Sequence, residues 1–319
     1  MKRLRSLLSR AVLEIILAGL CIFLAAAAPN FLSAGNLLNV LRNVSMQGVI
    51  ALGMTLVIIS GEIDLSVGSM AAFSGCLTAY VAGALGSPGS GAVLAVGAAI
   101  LTALVAGFAS GAFAGALRNR YGVPSFITTL ALLTALSGAA ELITNGFPLT
   151  PFPSWYNFIG GGYVLGVPFP AIVFMLAFAA THVLMNFTSF GRAVYAVGGN
   201  AEAARLSAIN VGAVRVTVLA LTSTLAAASG VMLSSEIMSG TATTAKGWEL
   251  DVIAAVIIGG TSLAGGVGRV WGTMVGVVFL GVIMNGMTLL NVSEYWQHVV
   301  RGGLILLAVL INRMERRRT

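Results

Sequence analysis

Long apolar runs recur along almost the whole chain, and that recurrence restricts the fold more than any other feature. A helix needs about 20 such residues to cross about 30 Å of hydrocarbon. Ten segments qualify: 12–28, 44–60, 66–85, 92–116, 124–144, 165–185, 214–234, 249–266, 270–290 and 296–312. Charged residues make up only 8% of the 319, against roughly 25% in soluble domains, too few to cover a water-soluble surface. The expected fold class is therefore all-α, a polytopic membrane protein with about ten transmembrane helices.

The basic residues orient the chain. With an even number of spans, both termini lie on one side, and positive residues mark that side as cytoplasmic. Lys2, Arg3, Arg5 and Arg10 then join Arg118, Arg120, Arg192, Arg205, Arg215, Arg269, Arg313, Arg316, Arg317 and Arg318, which is 14 of the 17 basic residues. Only Arg42, Lys246 and Arg301 fall outside or within a span. The expected arrangement is multi-pass, with N and C termini cytoplasmic. The first run has the layout of a secretory signal, and the nine runs after it favour a retained anchor. Its Glu14 can reach the interface.

The net charge of +7 is dispersed over an apolar chain. Topology explains it without nucleic acid. Cys21 and Cys76 have no CxxC spacing, so they read as small buried hydrophobes rather than a disulfide or a metal site. His182 and His298 are isolated, and no HExxH or GxSxG pattern occurs. No catalytic, cofactor-binding or metal-binding residue is expected. The nearest approach to a phosphate loop is GTATTAK, residues 240–246, where Ala245 replaces the required Gly.

Two glycine ladders, Gly107–Gly111–Gly115 (extended by Ala103) and Gly268–Gly272–Gly276, put small residues on one helix face every four positions. They suit close helix packing within the chain, with a subunit contact or a pathway face as alternatives. Residues 145–164 hold Phe147, Phe152, Trp155, Tyr156, Phe158 and Tyr163 on the expected outer side, the composition of an interfacial anchor. Val57–Gly68 and Val256–Gly268 partly echo one another and would run in the same direction.

Residues 186–213 are too polar to span. Within them AEAARLSA (201–208) has good helix formers, Asn200 is a natural N-cap, and Gly198 and Gly199 supply a turn before it. A short helix lying along the inner membrane face is expected. Gly191 and the run that follows it, RAVYAVGGNAEAARLSAINV (192–211), resemble the cytoplasmic coupling segment of the ribose-type ABC sugar permeases. The likeness continues through KGWELDVIAAVIIGGTSLAGGVGRVWGT (246–273) and SGEIDLSVGS (60–69), and covers nearly the whole chain in order. Glu62 departs from it, since members often carry Gly there.

The resemblance implies an ABC importer permease architecture: one transmembrane domain over 1–319, with a coupling segment at 186–213. It implies a permease subunit that moves a sugar or similar small polar solute and is not itself an enzyme. ATP and Mg would be bound and ATP hydrolysed on a separate ABC ATPase. A second permease subunit, in a homodimer or heterodimer, and a periplasmic solute-binding protein complete the implied partners, beside membrane lipid. Candidate ATPase contacts are Gly191, Arg192, Gly198, Gly199, Asn200, Ala203, Ala204, Arg205, Leu206 and Ile209. Arg192 and Arg205 suit charge-assisted bonds, Leu206 and Ile209 an apolar anchor.

For the pathway, Asp64, Ser66, Thr261, Ser262 and Asn285 offer directional polar groups in an apolar setting. Asp64 is equally a cap for the third span. Arg42, Glu236, Lys246 and Glu249 can meet charges on a docking binding protein. The alternative function, an ion-coupled secondary transporter, needs ionisable groups near mid-membrane, for which Glu141 and Arg301 are the candidates.

Overall fold

The computed structural model describes residues 12–86 and 91–316. Lys2, Arg3, Arg5, Arg10, Arg317 and Arg318 lie outside the described residues. The helices are α1 (Val12–Ala27), α2 (Ala34–Ile59), α3 (Val67–Leu85), α4 (Gly91–Tyr121), α5 (Ser125–Thr144), α6 (Phe158–Gly161), α7 (Phe169–Phe187), α8 (Ser189–Gly199), α9 (Ala201–Leu206), α10 (Val211–Glu236), α11 (Trp248–Ile258), α12 (Val270–Leu289) and α13 (Glu294–Arg316). A small antiparallel ribbon, β1 (Tyr163–Val164) with β2 (Val167–Pro168), precedes α7.

Among the described residues, α2, α3, α4, α5, α7, α10 and α12 are long and apolar enough to cross a membrane. They lie in seven of the ten runs picked out in the sequence. The other three runs hold α1, with 16 residues, α13, which carries Glu294, His298 and Arg301, and α11. In place of the run at 249–266, α11 has only 11 residues, about 16 Å of helix. Two glycines at its end, one of them left-handed Gly260 (φ 88°), stop it.

Burial separates centre from periphery. The most apolar stretch of α2 is 83% buried and that of α5 only 17%. α2 and α10 form the centre, with α3, α4, α7 and α12 packed around them. Lipid tails supply no hydrophobic drive between helices, so contact comes from close packing and hydroxyl bonds. Gly107, Gly111 and Gly115 lie against the α10 backbone at Ser223, Leu219 and Val216, and Gly272 and Gly276 against Gly259 and Ala255. Both ladders are thus packing faces inside the chain. Thr55 shares a 2.7 Å hydrogen bond with Thr273, Ser229 donates to the Met46 carbonyl at 2.7 Å, and Ser74 to that of Ala227 at 3.0 Å.

The aromatic segment before α7 behaves differently from a surface anchor at one position. Tyr156 is fully buried, stacks on Phe152 at 4.0 Å, and its hydroxyl is bonded to Ser234 and the Val231 carbonyl at 2.8 and 3.1 Å. Trp155, Phe158, Tyr163 and Phe147 stay exposed.

A side chain at Gly111 would run into the Leu219 carbonyl, whereas Gly97 on the same helix has open space. Gly111→Leu is expected to destabilise the fold by about 3 kcal/mol and lower the thermal unfolding midpoint of purified protein. Gly97→Ala should leave that midpoint unchanged or raise it slightly.

Candidate functional site

The polar stretch between α7 and α10 folds as two consecutive helices. Thr188 caps α8, its hydroxyl accepting from the Gly191 amide at 3.1 Å. Gly198 and Gly199, expected as a turn, instead finish α8, and the break falls at Asn200, which is extended (φ −159°). Its side-chain oxygen accepts from the Glu202 and Ala203 amides, each at 3.0 Å, and so starts α9. Left-handed Ala208 (φ 61°) ends the turn after α9, and Asn210 caps α10 through the Ala213 amide at 2.9 Å.

The candidate coupling residues divide by face. Arg192, Gly199, Asn200, Ala203, Arg205 and Leu206 are exposed, Leu206 at 78%. Gly191 and Ala204 are buried, and Ile209 packs on the chain's own core. The expectation that Ile209 anchors a partner gives way to Leu206 alone, because the turn at Ala208 directs Ile209 inward. Arg205 and Glu202 pair at 2.6 Å. The bonded guanidinium holds the Glu202 carboxyl below its ordinary range.

Behind that surface, α8 touches both breaks in the bundle. The Gly266 amide donates to the Ile59 carbonyl at 2.8 Å, and Gly198 fits against that same carbonyl and the Gly266 amide. Gly265 lies against Gly198 and Gly61, and the Tyr195 hydroxyl donates to the Gly268 carbonyl at 3.0 Å. Three glycine-bearing segments, 60–66, 198–199 and 259–269, therefore meet at one place, with no room for a side chain at Gly198, Gly265 or Gly266.

The 60–66 segment turns at Ser60–Gly61 and runs without regular structure to α3, and two of its amides are satisfied by α5. Ser125 and Thr129, one turn apart, accept from the Ile63 and Leu65 amides at 3.1 and 3.0 Å. Asp64 is fully buried; it accepts from the Ser66 amide (2.8 Å), the Ser66 hydroxyl (2.6 Å) and Ser223 (3.3 Å). These bonds hold the turn that leads into Ser66, the residue before α3, and none of them reaches an amide of α3 itself. Glu62, 4% exposed, is held between Arg118 at 3.0 Å and Arg215 at 2.8 Å. A solvated carboxylate is replaced by an ion triad joining α4 and α10.

The pathway candidates fall in the two breaks and at one position away from them. Asp64 and Ser66 bond each other, while Thr261 and Ser262 are buried in the second break. Asn285 is remote from these, exchanging amide hydrogen bonds with Asn36 at 3.0 and 2.8 Å. Nor do the four docking candidates form one patch. Arg42 pairs with Glu236 at 3.7 Å and donates to the Tyr163 hydroxyl at 2.6 Å. Glu249 is half-buried against Gly68 beside exposed Lys246, because 241–247 leads inward to α11 rather than looping over a rim.

The family described as "branched-chain amino acid transport system / permease component" matches residues 36–309. The chain belongs to this permease family. The ribose import permease of Bacillus subtilis (strain 168) is 44% identical over 298 residues, 93% of this chain and 90% of the relative. That of Escherichia coli (strain K12) is 40% identical over 307 residues, 94% and 92%. An L-arabinose ABC transporter permease of Azospirillum brasilense is 36% identical over 310 residues, 97% and 89%. No solved structure matches. The permease is a multi-pass protein of the bacterial inner membrane.

Sequence reasoning missed the partners of the 60–66 break. The signal existed in SFITT, hydroxyls four residues apart at the start of α5, and in Arg118 and Arg215, counted only as topology markers. Glu62→Gln would leave two guanidiniums facing an amide. Because both arginines keep some solvent, the expected destabilisation is about 1–3 kcal/mol, read as a lower thermal midpoint of the purified permease.

Proposed function

We propose that this permease is the membrane-spanning subunit of an ABC importer for a sugar or similar small polar solute, with ATP and Mg bound on a separate ATPase. The observation carrying the reading is the 44% identity to a ribose import permease across 93% of the chain. Relatives named for L-arabinose and xylose support the same solute class. An ion-coupled transporter has no counterpart among these names.

In this reading the chain is one domain of ten spans with both termini cytoplasmic, as the distribution of basic residues favours. Two permease subunits form the pathway, and a periplasmic binding protein delivers solute. Exposed Arg192, Arg205 and Leu206 seat α8 and α9 on the ATPase. Closure of the ATPase around ATP pushes this unit. Because α8 abuts both 60–66 and 259–269, the push reaches both helix breaks together.

Affinity capture of the solubilised permease from its native host tests this. Wild type is expected to retain an ATPase, and Arg205→Glu combined with Leu206→Asp to retain about tenfold less or lower. Both positions are exposed, so the fold is expected to survive. Equal capture by the variant, or no ATPase with well-folded wild type, overturns the assignment.

A further inference from the structure

The first half of α2 carries Asn36, Asn39, Asn43 and Gln47, spaced three and four apart and therefore on one stripe. Asn36 is engaged with Asn285. Among the described residues, the side-chain amides of Asn39, Asn43 and Gln47 have no hydrogen-bond partner. Asn39 and Asn43 are exposed and Gln47 is half-buried, whereas in membrane bundles such amides ordinarily bond a neighbouring helix. These three instead line a cavity of ≈ 320 Å³. Its other walls include Trp248 and the Asp251–Arg301 pair, closed at 2.7 Å.

We infer that this cavity between α2, α11, α12 and α13 is a solute-binding site of the permease itself, built for one neutral monosaccharide. The inference rests on the proposed importer function and deepens it. Each amide offers both a donor and an acceptor, the pattern that a sugar hydroxyl needs on its two sides. Asp251 accepts from hydroxyls and Arg301 donates to them, while their mutual pairing leaves the cavity without net charge. Phosphorylated sugars and free amino acids then lack a counter-charge. The indole of Trp248 offers an apolar face to the C–H side of a sugar ring. The volume is at the small end of ligand pockets, about 300–1,000 Å³, which suits one ring and excludes a disaccharide.

The site occupies the half of α2 that begins at Ala34, far from the coupling unit at Ile59. In the proposed orientation it is the external half, where solute arrives from the binding protein. The two breaks lie between it and the ATPase.

Equilibrium dialysis of the permease in lipid nanodiscs with labelled D-ribose, L-arabinose and D-xylose provides the test. Wild type is expected to bind at least one of the three saturably. Asn43→Leu and Gln47→Leu should each weaken that binding about tenfold or more, with ATPase capture unchanged. In Asn43→Cys, followed at that residue by mass spectrometry, saturating sugar should slow alkylation by N-methylmaleimide about threefold or more, a readout that loss of fold would abolish. No saturable binding by wild type that still captures its ATPase overturns the site, as do leucine variants that bind normally or a cysteine that sugar does not protect. Failure of ATPase capture would count against the importer reading instead.

Discussion

Everything else in this bundle depends on how the backbone is satisfied where the helices stop. Between Ile59 and Val67 the chain leaves helical geometry inside an apolar assembly, where an unpaired amide or carbonyl has no water to turn to. Ser125 and Thr129 meet alternate residues of the non-helical segment, and Asp64 takes the Ser66 amide just before α3. The Ile59 carbonyl at the end of α2 is taken by the Gly266 amide.

Close approach makes these bonds possible. The glycines at 61, 198, 265 and 266 let three backbone segments come together, and a methyl group at Gly198 or Gly266 would meet main chain rather than a movable side chain. Main-chain contact is stiff in a way that side-chain packing is not, since no rotamer change can relieve it. In the proposed coupling scheme, a displacement of α8 would therefore reach both breaks through main-chain contact.

The helical architecture was largely legible because apolar runs of membrane length need no tertiary context. Both glycine ladders and the Asn200 cap were legible as local patterns, though which surface the ladders pack against needed the structure. The misreadings came where apolar sequence is not helix. The run at 249–266 is continuous in hydropathy, yet Gly259 and Gly260 stop α11 early. Ala204 and Ile209 were grouped with Leu206 by sequence proximity, whereas a six-residue helix between two turns sends them to opposite sides. The ion triad at Glu62 joins positions 56 and 153 residues apart, a pairing no local pattern encodes.

The placement of charge also separates two duties inside one chain. At the end of α2 the ionisable groups are closed on each other, Glu62 with Arg118 and Arg215, holding the coupling unit's surroundings in one arrangement. Along the first half of the same helix Arg42 is likewise closed on Glu236, while the amides of Asn39, Asn43 and Gln47 keep unused donors and acceptors beside the cavity. A closed ionic cluster resists rearrangement and hydration, while an open amide-lined cavity takes up polar neutral molecules readily. In the proposed reading one helix would carry both the solute site and the end that receives force, with about 18 Å of helix between Gln47 and Ile59 connecting them.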